Sequence, residues 1–174
     1  MVEVMTLVSP EDIAEARMVG RKRYASAVSR NRTQPFGDPG EKQRVFIDCY
    51  SALAEVAVAR FLDLPWRNEF FDDLWPKPPD VGDTVEVRWT KHLGGSLIGH
   101  DTDTDGWIVV SVQGELPVMK IVGWTTAIAL KNIMYQNNPR ARSTKDYWMP
   151  PKDMFAIDLL LQMQSRWSQE RSSA

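Results

Sequence analysis

The sequence predicts an α/β (α+β) domain in which helices flank a mixed central β-sheet. Two helical patterns fill the first third of the chain, several strand patterns follow, and an amphipathic helix comes near the end. The chain has 174 residues, of which 43% are apolar, and this is enough to bury one sizeable hydrophobic core. We therefore expect a single domain over 1–174.

The first helix has a clear start signal. In "SPED" a serine can cap the helix, Pro10 takes the first helical position, and two acids face the positive end of the helix dipole. The helix is expected to run to about Ser29, before the turn "PFGDPG". These elements define a basic helical extension over 1–40, followed by a core over 41–165.

The second helix is predicted from about Glu41 to Asp63, because apolar residues recur there at spacings of three and four. Ala52 and Ala59 flank Glu55 on this helix. Small neighbours would let the helix approach a sheet closely and present Glu55 at the join. An exposed helical glutamate is the alternative.

The rest of the core reads as strands and two helices. "TVEVRWT" alternates, so that Val85, Val87 and Trp89 face one way and Glu86, Arg88 and Thr90 the other. "WRNEFF" is a candidate short strand, "SLIG" a hairpin partner for "TVEVRWT", "GWIVVSVQG" a central strand and "PVMKIVG" its neighbour. A helix over 124–137, the short strand "YWM", a closing helix over 151–167 and a frayed tail over 166–174 complete the prediction.

Composition excludes several classes of protein. Cys49 is alone, which rules out an internal disulfide and favours a reducing compartment such as the cytoplasm. No apolar run approaches the length of about 20 residues that spans a bilayer, so no membrane partner is expected. The net charge of −2 argues against indiscriminate binding to nucleic acid.

Positive charge is nevertheless clustered. Six cations and no acid lie between Arg17 and Arg32, and a second cluster follows the later helix: Arg17, Arg21, Lys22, Arg23, Arg30 and Arg32, then Arg140, Arg142 and Lys145. Such patches either form solvated faces or bind phosphates.

The stretch "PPDVGDTVEVRWT" concentrates chemically useful residues. Asp80 lies at a turn, Gly82 lets the backbone fold back, and Glu86 and Arg88 share one face of the following strand. Two converging carboxylates form a hard oxygen site suited to Mg²⁺ or Mn²⁺. A neighbouring cation would stabilise negative charge that develops on a phosphate.

This stretch resembles the signature of the PD-(D/E)XK nuclease superfamily: proline-aspartate, a short gap, then acid-any-lysine on a strand. "SALAEVAVARFL" is similar to the first core helix of that fold. The hairpin "WIVVSVQGELPVMKIVGW", the helix behind it and "YWMPPKDM" are similar to small phage-encoded members. The resemblance covers about Ser51 to Leu161. It implies a restriction-endonuclease-like αβββαβ core, here with an extra helix at each end, and a Mg²⁺- or Mn²⁺-dependent nuclease that acts on DNA in the cytoplasm of its host.

The resemblance also implies roles for single residues. Asp80 and Glu86 become metal ligands, Glu55 a third acid, and Arg88 a catalytic cation, with DNA contacts from Arg17, Arg21, Lys22, Arg23 and Lys91. Arg88 departs from the family pattern, which has lysine there. Arginine can clamp a phosphate but cannot act as a base, so a deprotonating role would fall to Lys91 or Lys120.

Three hypotheses stay open. The first is the nuclease. The second is a protein of the same fold that binds nucleic acid or a protein partner without cutting it, in which Arg88 marks lost catalysis. The third is a protein-interaction domain. A homodimer with the first helix as its interface would give a nuclease of this type two sites for two strands. "DTDTDG", from Asp101 to Gly106, resembles the start of a calcium loop but has Val112 where such a loop needs a glutamate; we interpret it as an acidic turn.

Overall fold

The computed structural model of the protein describes residues 1–30, 40–68, 77–137 and 145–172, with side chains to residue 164 in the last range. In these ranges helices flank a mixed sheet, which confirms the predicted fold class. The helices are α1 (Pro10–Ser29), α2 (Glu41–Leu62), α3 (Ala127–Leu130) and α4 (Ile157–Ser172). The strands are β1 (Val2–Glu3), β2 (Val85–Thr90), β3 (Leu97–His100), β4 (Ile108–Gln113), β5 (Lys120–Thr126), β6 (Gln136–Asn137), β7 (Asp146–Met149) and β8 (Phe155–Ala156).

The strands form two sheets. The main sheet has the order β1-β5-β4-β2, and β8 pairs with β5. β2 and β4 are parallel, whereas β5 is antiparallel to β4, β1 and β8. A second, antiparallel sheet has the order β3-β7-β6. β2 is therefore the last strand of the main sheet within the described ranges.

Strand β4 lies at the centre, as predicted, because both of its faces are buried. Ile108, Val110 and Val112 belong to a large apolar cluster with α1 and α2. Val109 points to the opposite side and joins a smaller cluster with residues of the second sheet, including Leu97. The main sheet thus has a helical layer on one side and the second sheet on the other.

Local signals set the two long helices where they were predicted. Ser9 and Asp12 form a reciprocal capping box at the start of α1, with N···O distances of 3.0 and 3.1 Å. Helix α2 ends at Leu62, and Asp63 adopts a left-handed conformation just beyond it. Gly20 of α1 lies directly against the backbone of Cys49 in α2, so the two helices pack very closely.

Three sequence-based predictions of secondary structure are wrong. "SLIG" does not pair with β2: β3 pairs with β7, because Leu97 is buried in the second cluster. The helix over 124–137 is reduced to the one turn of α3, because β5 continues along β4 to Thr126. The closing helix begins at Ile157 instead of residue 151, since Phe155–Ala156 pairs with β5, and it continues to Ser172 through the predicted tail.

Some predictions fall on residues that are not described. Of "WRNEFF", Trp66 forms a single bridge with Val81, and 69–71 lie outside the described ranges. Arg32, Arg140 and Arg142 also lie outside them. None of the helices in the described ranges is long and apolar enough to span a bilayer.

Candidate active site

Strand β2 separates a core face from a polar face. Val85 and Val87 are buried in the large apolar cluster, while Glu86 and Arg88 face a cavity on the other side, as the alternation predicts. Glu86 is only 2% exposed, so this polar face is buried more deeply than an ordinary outer strand face. A buried acid and a half-buried cation two residues away therefore share the polar face of this strand.

Asp80 reaches the same strand through a tight turn. The backbones of Val81 and Val85 exchange two hydrogen bonds of 2.9 and 3.1 Å, and Gly82 takes the positive φ of +55° that the turn needs. Asp80 Oδ2 then accepts a hydrogen bond of 3.0 Å from the backbone N–H of Val87. The turn thus fixes the Asp80 carboxylate against β2.

Lys77 links the two carboxylates, a contact that the sequence prediction missed. Its Nζ lies 2.9 Å from Asp80 Oδ1 and 3.8 Å from Glu86 Oε1. Burial opposes its charge, but the carboxylates of Asp80 and Glu86 outweigh this effect and raise the pKa of Lys77. The spacing "KPPD" was the available signal, because it places a lysine three residues before Asp80.

Arg88 bridges β2 and the acidic turn before β4. It donates to Glu86 Oε1 and, at 2.7 Å, to Asp103 Oδ1. Asp103 is itself fixed by the backbone N–H of His100 at 2.9 Å, and its backbone carbonyl accepts from Lys131 at 2.6 Å. The "DTDTDG" motif thus provides a partner for Arg88, a role that the sequence prediction did not assign to it.

Glu55 belongs to a neighbouring ion pair. Both of its carboxylate oxygens accept hydrogen bonds from Arg23, and Oε2 also accepts one of 3.0 Å from Trp66 Nε1. Burial and the charge of Asp80 raise the pKa of Glu55, while Arg23 opposes them. Glu55 therefore lies near Asp80 but has its oxygens already engaged, and Arg23 is part of this pair instead of an open DNA-binding face.

Glu86 is the least satisfied of these acids. Its Oε2 is buried and accepts no hydrogen bond from any residue in the described ranges. Burial and the charge of Asp80 raise the pKa of Glu86 to about 7, even though Arg88 and Lys77 lower it. A buried carboxylate oxygen without a donor costs free energy, and this cost is typical of a site that is completed by a ligand.

Four of these side chains, those of Lys77, Glu86, Arg88 and Asp103, line a cleft of about 290 Å³. Its walls come from the segment before the Asp80 turn, β2, the end of β3 and the segment from the acidic turn to β4: Lys77, Glu86, Arg88, His100, Thr102, Asp103, Thr104 and Trp107. Within the described ranges, no group of three or more histidine, cysteine, aspartate or glutamate side chains is close enough to hold a metal ion. Any metal site here would therefore use one or two carboxylates.

The other predicted residues lie apart from the cleft. Arg17, Arg21 and Lys22 are exposed on α1. Lys91 is exposed beyond the end of β2 and lines a different cavity. Lys120 Nζ lies 3.7 Å from Glu3 Oε1. Lys77 is thus the lysine beside the two carboxylates, in place of the two that the sequence suggested.

Comparison of the chain with protein-family models, with curated proteins and with solved structures found no significant match. The geometry of the cleft is therefore the basis for a function.

Proposed function

We propose that this protein is a metal-dependent phosphodiesterase that cleaves DNA at the cleft lined by Glu86, Lys77 and Arg88, with Asp80 held beside it by Lys77. The observation that carries the proposal is the buried Glu86 carboxylate, with one oxygen that lacks a donor, beside Asp80 and between two cations. The resemblance of "PPDVGDTVEVR" to the PD-(D/E)XK signature supports the same activity. Action in the cytoplasm belongs to this proposal.

The donor set fits a hard divalent cation. Mg²⁺ commonly takes only one or two protein carboxylates and completes its shell with water and substrate phosphate. Asp80 and Glu86 would hold Mg²⁺ or Mn²⁺, which supplies Lewis-acid activation of a phosphoryl oxygen and of water. The side chain of Lys77 is 51% exposed, so its ammonium can move away from Asp80 Oδ1 and leave that oxygen to the metal.

The two cations have different tasks in this proposal. Arg88 stays charged at any relevant pH, because Glu86 and Asp103 raise its pKa despite burial. It places fixed positive charge where the phosphate becomes more negative in the transition state. Lys77 is more exposed and is the residue that binds a non-bridging phosphate oxygen once it leaves Asp80.

The proposal is tested by comparing Asp80→Asn, Glu86→Gln and the control Asp83→Asn. Asp83 is 92% exposed and lies three residues from Asp80, so its substitution removes a nearby acid outside the cleft. We expect calorimetry to detect Mg²⁺ or Mn²⁺ binding by the native chain and by Asp83→Asn, with binding lost in the other two variants.

Cleavage should follow the same pattern on linear, nicked, branched and single-stranded DNA. EDTA should abolish it, and each cleft substitution should lower the rate by about 10²-fold or more. The absence of both metal binding and cleavage in the native protein would overturn the proposal.

A second function is favoured by one observation. Both terminal nitrogens of Arg88 already donate to carboxylates, those of Glu86 and Asp103, so its positive charge is largely compensated before any phosphate binds. A protein that binds nucleic acid without cutting it fits this arrangement. In that case native protein should bind DNA but not cleave it with either metal, and Arg88→Lys, which restores the family pattern, should gain cleavage.

A further inference from the structure

A second cavity lies on the opposite side of β2 from the cleft. It has a volume of about 790 Å³ and forms where the first turns of α2 meet the end of β2. Its apolar wall comes from Phe46, Ile47 and Trp89, and its charged lining residues are Lys42, Lys91 and Glu115. Its size falls within the usual range of small-molecule sites.

The aromatic wall is a built structure. Tyr50 stacks on Trp89 with ring centroids 5.3 Å apart, and Phe46 meets Trp89 edge-on at 5.9 Å. The Trp89 indole donates a hydrogen bond of 2.9 Å to the backbone carbonyl of Gly114. Because the indole is fixed from two sides, the wall can receive a flat ring without first being ordered.

The polar part of this cavity is positively charged. Lys42 and Lys91 are exposed, and Glu115 is the one acid among the lining residues in the described ranges. The chain as a whole has a net charge of −2, so this local excess of cations runs against the overall balance. A matching ligand therefore combines a flat apolar group with negative charge.

We propose that this cavity binds an unstacked base of a single-stranded nucleic acid, with the flanking phosphates on Lys42 and Lys91. A nucleotide joins an aromatic ring and a phosphate in one unit, and stacking of bases on aromatic side chains beside cations is a general mode of single-strand binding. The proposal requires binding only and stands whether or not the cleft cleaves DNA. Thr90 of this cavity and Glu86 of the cleft are four residues apart on β2, about 13 Å along the strand.

The test uses fluorescence anisotropy with a short fluorescein-labelled oligothymidylate in EDTA, which prevents metal-dependent cleavage. An abasic strand of the same length has the same phosphates but no bases. We expect the native protein to bind oligothymidylate at least about five-fold more tightly than the abasic strand. An oligouridylate measured in parallel shows which sugar the site accepts.

Two substitutions separate the base contact from the phosphate contact. Phe46→Leu keeps an apolar side chain and should weaken binding of oligothymidylate while leaving the abasic strand unaffected. Lys91→Ala should lower the slope of log K against log salt concentration by about 0.7, the value for one phosphate contact on a single strand. Lys152→Ala removes an exposed lysine elsewhere and should leave the slope unchanged.

Equal affinity for oligothymidylate and for the abasic strand would overturn the proposal. So would unchanged affinity and salt slope in both Phe46→Leu and Lys91→Ala, provided that circular dichroism shows both variants to be folded. Failure of the cleavage assay alone would count only against the phosphodiesterase.

Discussion

Arg88 links two carboxylates that are almost completely removed from water. Glu86 and Asp103 have side-chain exposures of 2% and 4%, and that of Arg88 is 23%. Such a network stabilises a fold no better than apolar residues of the same size, because desolvation of the charges offsets their attraction. Its presence on an outer strand of the main sheet is therefore better explained by a function than by stability.

Removing Arg88 alone should be strongly destabilising. We expect Arg88→Met to lower the free energy of unfolding by about 3–5 kcal/mol, because two buried carboxylates lose their cation. Adding Asp103→Asn should recover part of the loss, since one of the two carboxylates that lost Arg88 is then replaced by a neutral amide. Urea unfolding of both variants measures these costs. Arg17→Met, at an exposed position, is the control and should change stability by no more than about 0.5 kcal/mol. A cost for Arg88→Met as small as that of Arg17→Met would contradict it.

Asp48 provides a test of pH dependence. Burial raises its pKa to about 6 from an ordinary value of 3.8, although Arg23 and Arg44 oppose the shift. A carboxyl group whose pKa is higher in the folded state stabilises the fold while it is protonated. Its contribution is complete below pH 3.8 and is lost as the pH rises through about 6.

Asp48→Asn should therefore be more stable than the native protein above about pH 6, by on the order of 1 kcal/mol after allowance for solvent screening. The advantage should vanish towards about pH 4. Urea unfolding across this range measures the difference, and a carbon-13 titration of the Asp48 carboxyl group gives its pKa directly. A difference in stability that is the same at both ends of the range would contradict the assignment.

At the scale of elements, the contact of α1 with α2 depends on one glycine. A Cβ atom on Gly20 would lie 2.4 Å from Cys49 Cα and 2.5 Å from Cys49 N, and backbone atoms cannot rotate out of the way. Gly20→Ala should force the helices apart and cost about 1–3 kcal/mol or more. Gly106→Ala is the matched control, because nothing lies within 4 Å of a Cβ there. Thermal unfolding that shows equal stability for the two variants would refute this packing.

Elements were predictable where their signals are local. The capping box at Ser9 begins α1, and the left-handed Asp63 follows the end of α2. Both features lie at the ends of segments that the sequence already predicts to be helical. Residues 124–137 show the limit of this approach, because their composition suits a helix. Trp124 and Thr125 instead pair with Val110 and Val109 of β4, and this tertiary pairing overrides local propensity.

The contacts of the site likewise divide into those that local sequence predicts and those that depend on tertiary packing. Asp80, Glu86 and Arg88 could be predicted because a turn and a strand alternation bring them together within nine residues. The pairing of Arg23 with Glu55 and of Arg88 with Asp103 depends on how distant parts of the chain pack, which no local spacing encodes. Composition alone suggested that Arg23 belongs to an exposed basic patch, whereas the close approach of α1 to α2 buries most of its side chain.

At the scale of the whole molecule, an acidic protein has an exposed basic face on α1. Arg17, Arg21 and Lys22 remain exposed there, whereas Arg23 is withdrawn into its pair with Glu55. Because the net charge of −2 gives no general attraction to nucleic acid, affinity for duplex DNA has to come from such local faces. Cations that contact phosphates release counterions, so their contribution depends steeply on salt.

Arg21→Ala and Lys22→Ala should each weaken binding of duplex DNA and lower the slope of log K against log salt concentration by about 0.9, the value for one phosphate contact on B-DNA. Arg23→Ala should act differently: it leaves the buried Glu55 without its cation and lowers the free energy of unfolding by about 3 kcal/mol or more. Anisotropy titrations in EDTA at several salt concentrations measure these slopes. Lys152→Ala is the control for the loss of one exposed charge. If Arg21→Ala and Lys22→Ala keep the native slope at low salt, the face on α1 is solvated surface, and DNA must approach the cleft from another side.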